Sequence, residues 1–350
     1  MKTLSNLIQS IMNWHSVGKD AAIATLVQSS GSSPLPVGEM MAVSSSLDMV
    51  GAVSRGCVES AILETAQQVM QENKAVLSHF GYNDQSAFAV GLTCGGEIDV
   101  LVEPVTQSEQ SSTFLRTMLE MSESDKPFFW LHLLNEDNPG EKLLCDLDTI
   151  LYSDKTMTSA LKQDFFNQLE LDMPARITHL PLEGDQNVAV FVQTFQPARR
   201  LVIIGAGEIA IGLTPMAKLL GYKVIVIDPR SMFASSVRFP EADVILAKWP
   251  QDCLEELNLR PRDHLVVISH DEKIDLPALQ IGLASSVGYI GLLGSMKTRQ
   301  NRFDALLGSG VRSSDLDRIH APIGINIHSK KANEIAVSIL AEIIQLTNQA

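Results

Sequence analysis

Two neighbouring stretches, LVIIGAGEIAIG (201–212) and KVIVIDPR (223–230), decide the fold. An apolar run ends in glycine, a helix-compatible run opens at once, and a second apolar run ends in an acid. Gly205, Gly207 and Ala210 fill the three positions of the G-x-G-x-x-G/A fingerprint. Asp228 closes the following strand about 20 residues further on, which is the full context that the fingerprint requires. Gly205 would permit the tight turn, and Gly207 would let backbone N–H groups approach a diphosphate at a helix N-terminus. Asp228 could then accept a hydrogen bond from a ribose hydroxyl. Glu208 brings negative charge into the phosphate turn, and Arg230 leaves the preference at the ribose 2′-position open. A Rossmann-like unit that binds something other than NAD would keep the same pattern.

The rest of the C-terminal half repeats the theme. ADVILA, HLVVISHD and YIGLLGS read as further strands, DLPALQIGLAS as a helix, and Ala332, Ile335, Ala336, Ile339, Leu340 and Ile343 form one apolar helical stripe. Continuous apolar strands alternating with helices imply a parallel sheet covered on both faces. Pro215 is expected to kink the first helix of this unit. The PARR segment at 197–200 marks a domain boundary, giving an N-terminal domain over 1–196 and a Rossmann-like, doubly wound C-terminal domain over 197–350.

The N-terminal half reads as mixed α/β. Leu4, Leu7, Ile8, Ile11 and Met12 mark an amphipathic helix, and MMAVSSSLDMVGAVS a hairpin. EIDVLVEPV reads as a strand that alternates its faces. FFWLHLL, LLCDLDTILY and NVAVFVQTF read as strands and SALKQDFFNQLE as a helix, alternating like an α/β unit.

With 350 residues, 45% of them hydrophobic, the chain can build a core in each of two domains. A formal charge of −14 repels nucleic acid and anionic membranes. The N-terminus lacks the unbroken apolar core of a secretory signal, and no stretch approaches the roughly 18 apolar residues of a membrane span. Four cysteines without a CxxC pair suggest reduced thiols in a cytoplasmic protein.

Two cysteines sit in glycine-containing turns. SRGCVES (54–60) places Cys57 after Arg55 and Gly56 at a strand-to-helix change, where the cation and helix dipole would lower a thiol pKa while Glu59 opposes them. Cys94 is followed by Gly95 and Gly96, which allow close backbone approach. Both could converge on a ligand or metal, with Cys57 as a candidate nucleophile; each could equally be a small buried residue. In the C-terminal half His270 follows a strand, and Ser295, Lys297, Arg299 and Arg302 open the next helix as a candidate anion clamp whose plain alternative is a solvated face. His320 precedes a Pro-Ile-Gly turn and suits a packing role at least as well as proton transfer.

Together GCVE (56–59), TCGG (93–96) leading into VLVEP, GAGEIAIG, VIVIDPR, RFPEAD (238–243), HDEKIDLPAL (270–279), YIGLLGSMKTRQNR (289–302) and IHAPIGINI (319–327) resemble the XdhC/CoxI family. The resemblance spans roughly residues 10–105 and 198–345. It departs from the usual pattern at Arg55, where a small residue is expected, and at Glu208, where histidine is common. It implies an accessory chaperone of xanthine dehydrogenase-type molybdenum hydroxylases. Such a protein binds molybdenum cofactor, as molybdopterin or its dinucleotide, supports its sulfuration by a cysteine desulfurase, and delivers it to the apo-hydroxylase. It also implies a homodimer, with Cys57 and Cys94 facing the metal or sulfur end of the cofactor. Two other readings remain: an NAD-dependent oxidoreductase, and a sulfurtransferase carrying a persulfide on Cys57.

Overall fold

The computed structural model describes residues 2–31, 35–56, 58–81, 96–134, 139–154, 166, 169–171, 173–181 and 187–348. Two compact units divide the chain, Met1–Pro197 and Ala198–Ala350.

The first unit opens with α1 (Lys2–Ser16), followed by β1 (Ala21–Ser30), β2 (Met40–Ser44), β3 (Met49–Gly51), α2 (Glu59–Glu72), β4 (Val76–Phe80) and β5 (Glu97–Val105). Its strands form one antiparallel sheet in the order β3-β2-β1-β5-β4. After α3 (Glu109–Glu123), a second antiparallel sheet is built from β6 (Phe128–Leu133), β7 (Lys142–Cys145), β8 (Ile150–Ser153), β9 (Arg176–Pro181) and β10 (Asn187–Phe195), in the order β8-β7-β6-β10-β9. The α/β alternation expected across this second half is therefore corrected: its strands pair antiparallel, with no crossover helix among the described residues. Most of the expected helix at SALKQDFFNQLE lies outside the described residues. Strands β4 and β9 are short and half-exposed, and the apolar pattern does not announce them.

Apolar periodicity explains the packing. Ile62, Ala66 and Val69 bury one stripe of α2 against Ile98, Val100 and Val102 of β5. The other face of β5 is buried as well, because Leu101 packs with Val27 and Phe191. The strand is thus covered on both sides, and Glu103 is buried with it.

The second unit is a six-stranded, all-parallel sheet made of β11 (Arg200–Ile204), β12 (Lys223–Ile227), β13 (Val244–Leu246), β14 (His264–Val267), β15 (Tyr289–Leu292) and β16 (Ile319–His320). The order is β13-β12-β11-β14-β15-β16, which counted within this sheet is the 3-2-1-4-5-6 order of a doubly wound fold. The first strand shows why both faces need helices. Val202 and Ile204 enter one core, with Ile274, Ala278 and Leu279 of α5 (Glu272–Ala284) and Leu306 of α6 (Met296–Gly308). Leu201 and Ile203 enter the other, with Ala210 and Leu213 of α4 (Glu208–Leu219) and Ile339 and Ile343 of α7 (Ala332–Thr347). Helix α4 runs on through Pro215. The topological switch point, where such sheets hold ligands, falls between β11 and β14.

Candidate functional site

At the switch point the glycine turn adopts a backbone that its sequence alone permits. Gly205 has φ +102°, and a Cβ there would lie 2.5 Å from the Ser269 Cα, so the turn following β11 is pressed against the chain leaving β14. Gly207 differs in kind. It is the N-cap of α4 with φ −81°, and no atom lies within 4 Å of where its Cβ would stand. Gly205 is thus required by the fold, whereas Gly207 keeps open space in front of the first N–H groups of α4. Ala210 is fully buried and brings the helix close to the sheet.

Asp228 is 0% exposed. Its Oδ2 accepts from the Ala206 N–H at 2.9 Å and from Arg230 Nη2 at 2.7 Å, and its Oδ1 accepts from Arg230 N at 2.9 Å and Nε at 2.8 Å. Burial pushes the carboxyl pKa up, but these donors outweigh it and hold the group below the usual carboxylate value. The carboxylate expected to receive a ribose hydroxyl is already filled by the turn and by Arg230.

Across the switch point, His270 is exposed and holds φ +63°. Beside it, Ser269 Oγ donates to Asp275 Oδ1 at 2.6 Å, and Asp275 Oδ2 accepts from Arg302 Nε and Nη2 at 3.3 and 3.2 Å. Arg302 also reaches Glu272 at 2.7 Å. This corrects the anion clamp at one position, since the Arg302 guanidinium is buried between two carboxylates and braces α6 against α5. Lys297 is exposed, and Arg299 lies 4.8 Å over the Phe303 ring. Ser295 caps α6, its Oγ accepting from the Thr298 N–H at 3.2 Å. His320 stacks on Tyr289 at 5.0 Å, whose hydroxyl donates to Glu342 at 2.5 Å, so that corner is occupied by packing.

In the first unit, Arg55 and Gly56 sit exposed on the turn between β3 and α2, with Gly56 at φ +96° and open space around its Cβ position. Cys57, Cys94 and Gly95 lie outside the described residues; Gly96 is buried just ahead of β5. From sequence, Glu59 carries only an opposing charge. In the structure its carboxylate accepts from the Ser54 N–H at 3.0 Å and from the Ser54 hydroxyl, while Ser54 Oγ accepts from the Val58 N–H at 3.1 Å. A Ser54–Glu59 clasp therefore ties together the described residues on either side of 57, and α2 begins at Glu59.

A further group escapes the sequence pattern. Arg238 Nη2 donates to Glu208 Oε1 at 3.2 Å, and the guanidiniums of Arg230 and Arg238 lie 4.3 and 5.0 Å from the Phe233 ring centre. Its one signal in the sequence is an aromatic residue set between two arginines directly after the fingerprint acid. Among the described residues no group of three or more His, Cys, Asp or Glu side chains could hold a metal, and no helix is long and apolar enough to cross a membrane.

Comparison with known proteins places these features in context. Residues 201–343 match the profile of the XdhC Rossmann domain, and residues 14–81 that of the XdhC and CoxI family. The chain is 28% identical to a Bacillus subtilis (strain 168) protein named as a probable subunit of xanthine dehydrogenase, an alignment covering 93% of each chain. It is 26% identical to the molybdenum cofactor insertion chaperone PaoD of Escherichia coli (strain K12), over 93% of this chain and 83% of that one. A crystal structure described as a xanthine dehydrogenase from Bacillus halodurans superposes with a TM-score of 0.78 at 26% identity, covering 98% of this chain and 96% of the other.

Proposed function

The chain belongs to the XdhC and CoxI family, and from that premise we propose that it is an accessory protein that binds molybdenum cofactor for a molybdenum hydroxylase of the xanthine dehydrogenase type. The observation that carries this reading is its similarity, over nearly the whole chain, to a relative named as a molybdenum cofactor insertion chaperone. In the finer form of the proposal, a cysteine desulfurase supplies sulfur to the held cofactor, the sulfurated cofactor passes to the apo-hydroxylase, and the working form is a cytoplasmic homodimer.

The described residues suit the phosphate end of such a ligand. Open space at Gly207 leaves the helix-start N–H groups reachable. Gly205 holds the turn in place, and Glu208, whose charge would oppose a phosphate, has Arg238 as its partner. When bound, the cofactor supplies a molybdenum centre with sulfur ligands on a phosphorylated pterin. Soft thiolates suit such a centre, which is the chemical case for Cys57 and Cys94. The Ser54–Glu59 clasp sets the course of the chain on either side of residue 57, and Gly56 gives the turn its left-handed step.

The test is retention of molybdenum and pterin after desalting by Cys57→Ala and Cys94→Ala, followed by activation of a purified apo-hydroxylase. Retention should fall in at least one variant while its melting temperature stays put. Unchanged retention and activation in both would remove the thiols from the site.

A further inference from the structure

The group formed by Arg230, Phe233 and Arg238 lies beside the fingerprint acid, and beyond the pairing of Arg238 with Glu208 it has no part in the cofactor reading above. A ribose diol is normally held by a carboxylate with free lone pairs at the end of the second strand of such a sheet. A carboxylate offers about four acceptor sites, and Asp228 accepts four hydrogen bonds, one from the glycine turn and three from Arg230. A diol could bind only by displacing Arg230, which would strip a fully buried carboxylate of its main cationic partner.

The same arrangement offers something else. Arginine carries five N–H donors; Nε and one donor of Nη2 are directed at Asp228, so the rest of a side chain that is 44% exposed remains to face a ligand. Its guanidinium lies over the Phe233 ring, and Arg238 lies over the same ring. Arginine over an aromatic ring keeps its fork in a fixed plane, the geometry suited to bidentate recognition of phosphate. Phe233 is 38% exposed, so the ring could also meet a base. The charge opposing an anion here is Glu208, itself 79% exposed and paired to Arg238 at 3.2 Å. Asp271 adds negative charge near Arg230 from the far side of the switch point.

We propose that the mouth of the Rossmann unit is a receptor for a nucleotide whose ribose carries a phosphomonoester, read by Arg230 and Arg238 beside Phe233, and that a nucleotide with a free ribose diol is the poorer ligand. The inference concerns this unit alone; it shares the seat at Gly205 and Gly207 with the phosphate end of the cofactor reading, so the two ligands would compete there, and each is tested by its own probe. Arg238 and Arg230 act as specificity-determining residues: they select what lies beyond the diphosphate seat at Gly205 and Gly207.

Calorimetric titration of the full chain with ADP-ribose and with 2′-phospho-ADP-ribose, which differ by one phosphate, tests this. The phosphorylated probe should bind at least about tenfold more tightly, the factor that one charge-assisted contact supplies. Arg238→Gln should shrink that ratio to about threefold or less, and Glu208→Gln should widen it. Arg230→Lys, which keeps the charge near Asp228 but loses the fork, should shrink it too. Equal affinity for the two probes, tighter binding of ADP-ribose, a ratio untouched by Arg238→Gln, or binding of neither probe each overturns the proposal. Molybdenum retention measured on the same preparations separates its failure from failure of the cofactor reading.

Discussion

The two glycines of the fingerprint should respond to the same substitution in opposite ways. At Gly205 an added methyl meets backbone: the Ser269 Cα at 2.5 Å and its N at 2.6 Å, on a residue held at φ +102°. Backbone strain of about 1–3 kcal/mol and overpacking of about 1–3 kcal/mol both apply, so Gly205→Ala should cost about 2–6 kcal/mol. For a unit of this size that is a fall of about 4–24 °C in its melting temperature. At Gly207 the same methyl enters open space at φ −81°, and the cost is the loss of a favoured N-cap residue, about 0.5–1 kcal/mol. Gly207→Ala should therefore melt within about 4 °C of the parent. Yet the methyl stands in front of the N–H groups of α4, so affinity for 2′-phospho-ADP-ribose should fall at least about tenfold. Differential scanning calorimetry and titration on the two variants provide the assay. If Gly207→Ala binds like the parent, the turn is inherited architecture and not a ligand seat; if Gly205→Ala melts like the parent, its contact with Ser269 does not constrain the fold.

Other perturbations follow from buried charge. Arg302→Met leaves Asp275, already raised in pKa by burial, without its cation, and should cost about 3–5 kcal/mol in urea unfolding; adding Asp275→Asn should recover part of that loss. His264 is packed between Tyr222 and Tyr289, and burial lowers its pKa from 6.5 to about 4. The unfolded chain takes up that proton first, so stability should fall by about 3 kcal/mol as pH drops from 6.5 to 4 and level off below, a slope that His264→Gln removes. In the first unit Glu103 is buried, with His132 Nδ1 at 2.8 Å and Lys142 Nζ at 3.3 Å. Burial pushes its pKa up, but attraction to His132 and Lys142 holds it below the usual 4.5. Its contribution is complete above that value and lost as pH falls through the depressed one, so the stability gap between the parent and Glu103→Gln should narrow in acid unfolding below about pH 4.5.

The Rossmann unit was legible because each of its signals is local. An apolar run, a glycine turn and a helix stripe lie within a few residues of one another, and a sheet covered on both faces needs no polar alternation to be recognised. The first unit was legible only in part. Its second sheet depends on pairing strands far apart in the chain, such as Phe129 with Thr194, and no period marks that choice. Side-chain direction was equally hidden. Nothing in GSMKTRQNR distinguishes Arg302, turned inward to Asp275, from Lys297, left in solvent. The Ser54–Glu59 clasp depends on which way two side chains five residues apart are turned, and the saturation of Asp228 on Arg230 folding back by two residues.

The most direct measurement of the central claim is stoichiometric. Purified full-length protein is incubated with molybdenum cofactor and desalted, and bound molybdenum and pterin fluorescence are measured alongside NADH oxidation with carbonyl substrates. The account predicts molybdenum and pterin retained together in a fixed ratio to the chain, with the retained cofactor able to activate an apo-hydroxylase. Loss of both on desalting, with NAD alone held and NADH consumed, would contradict it.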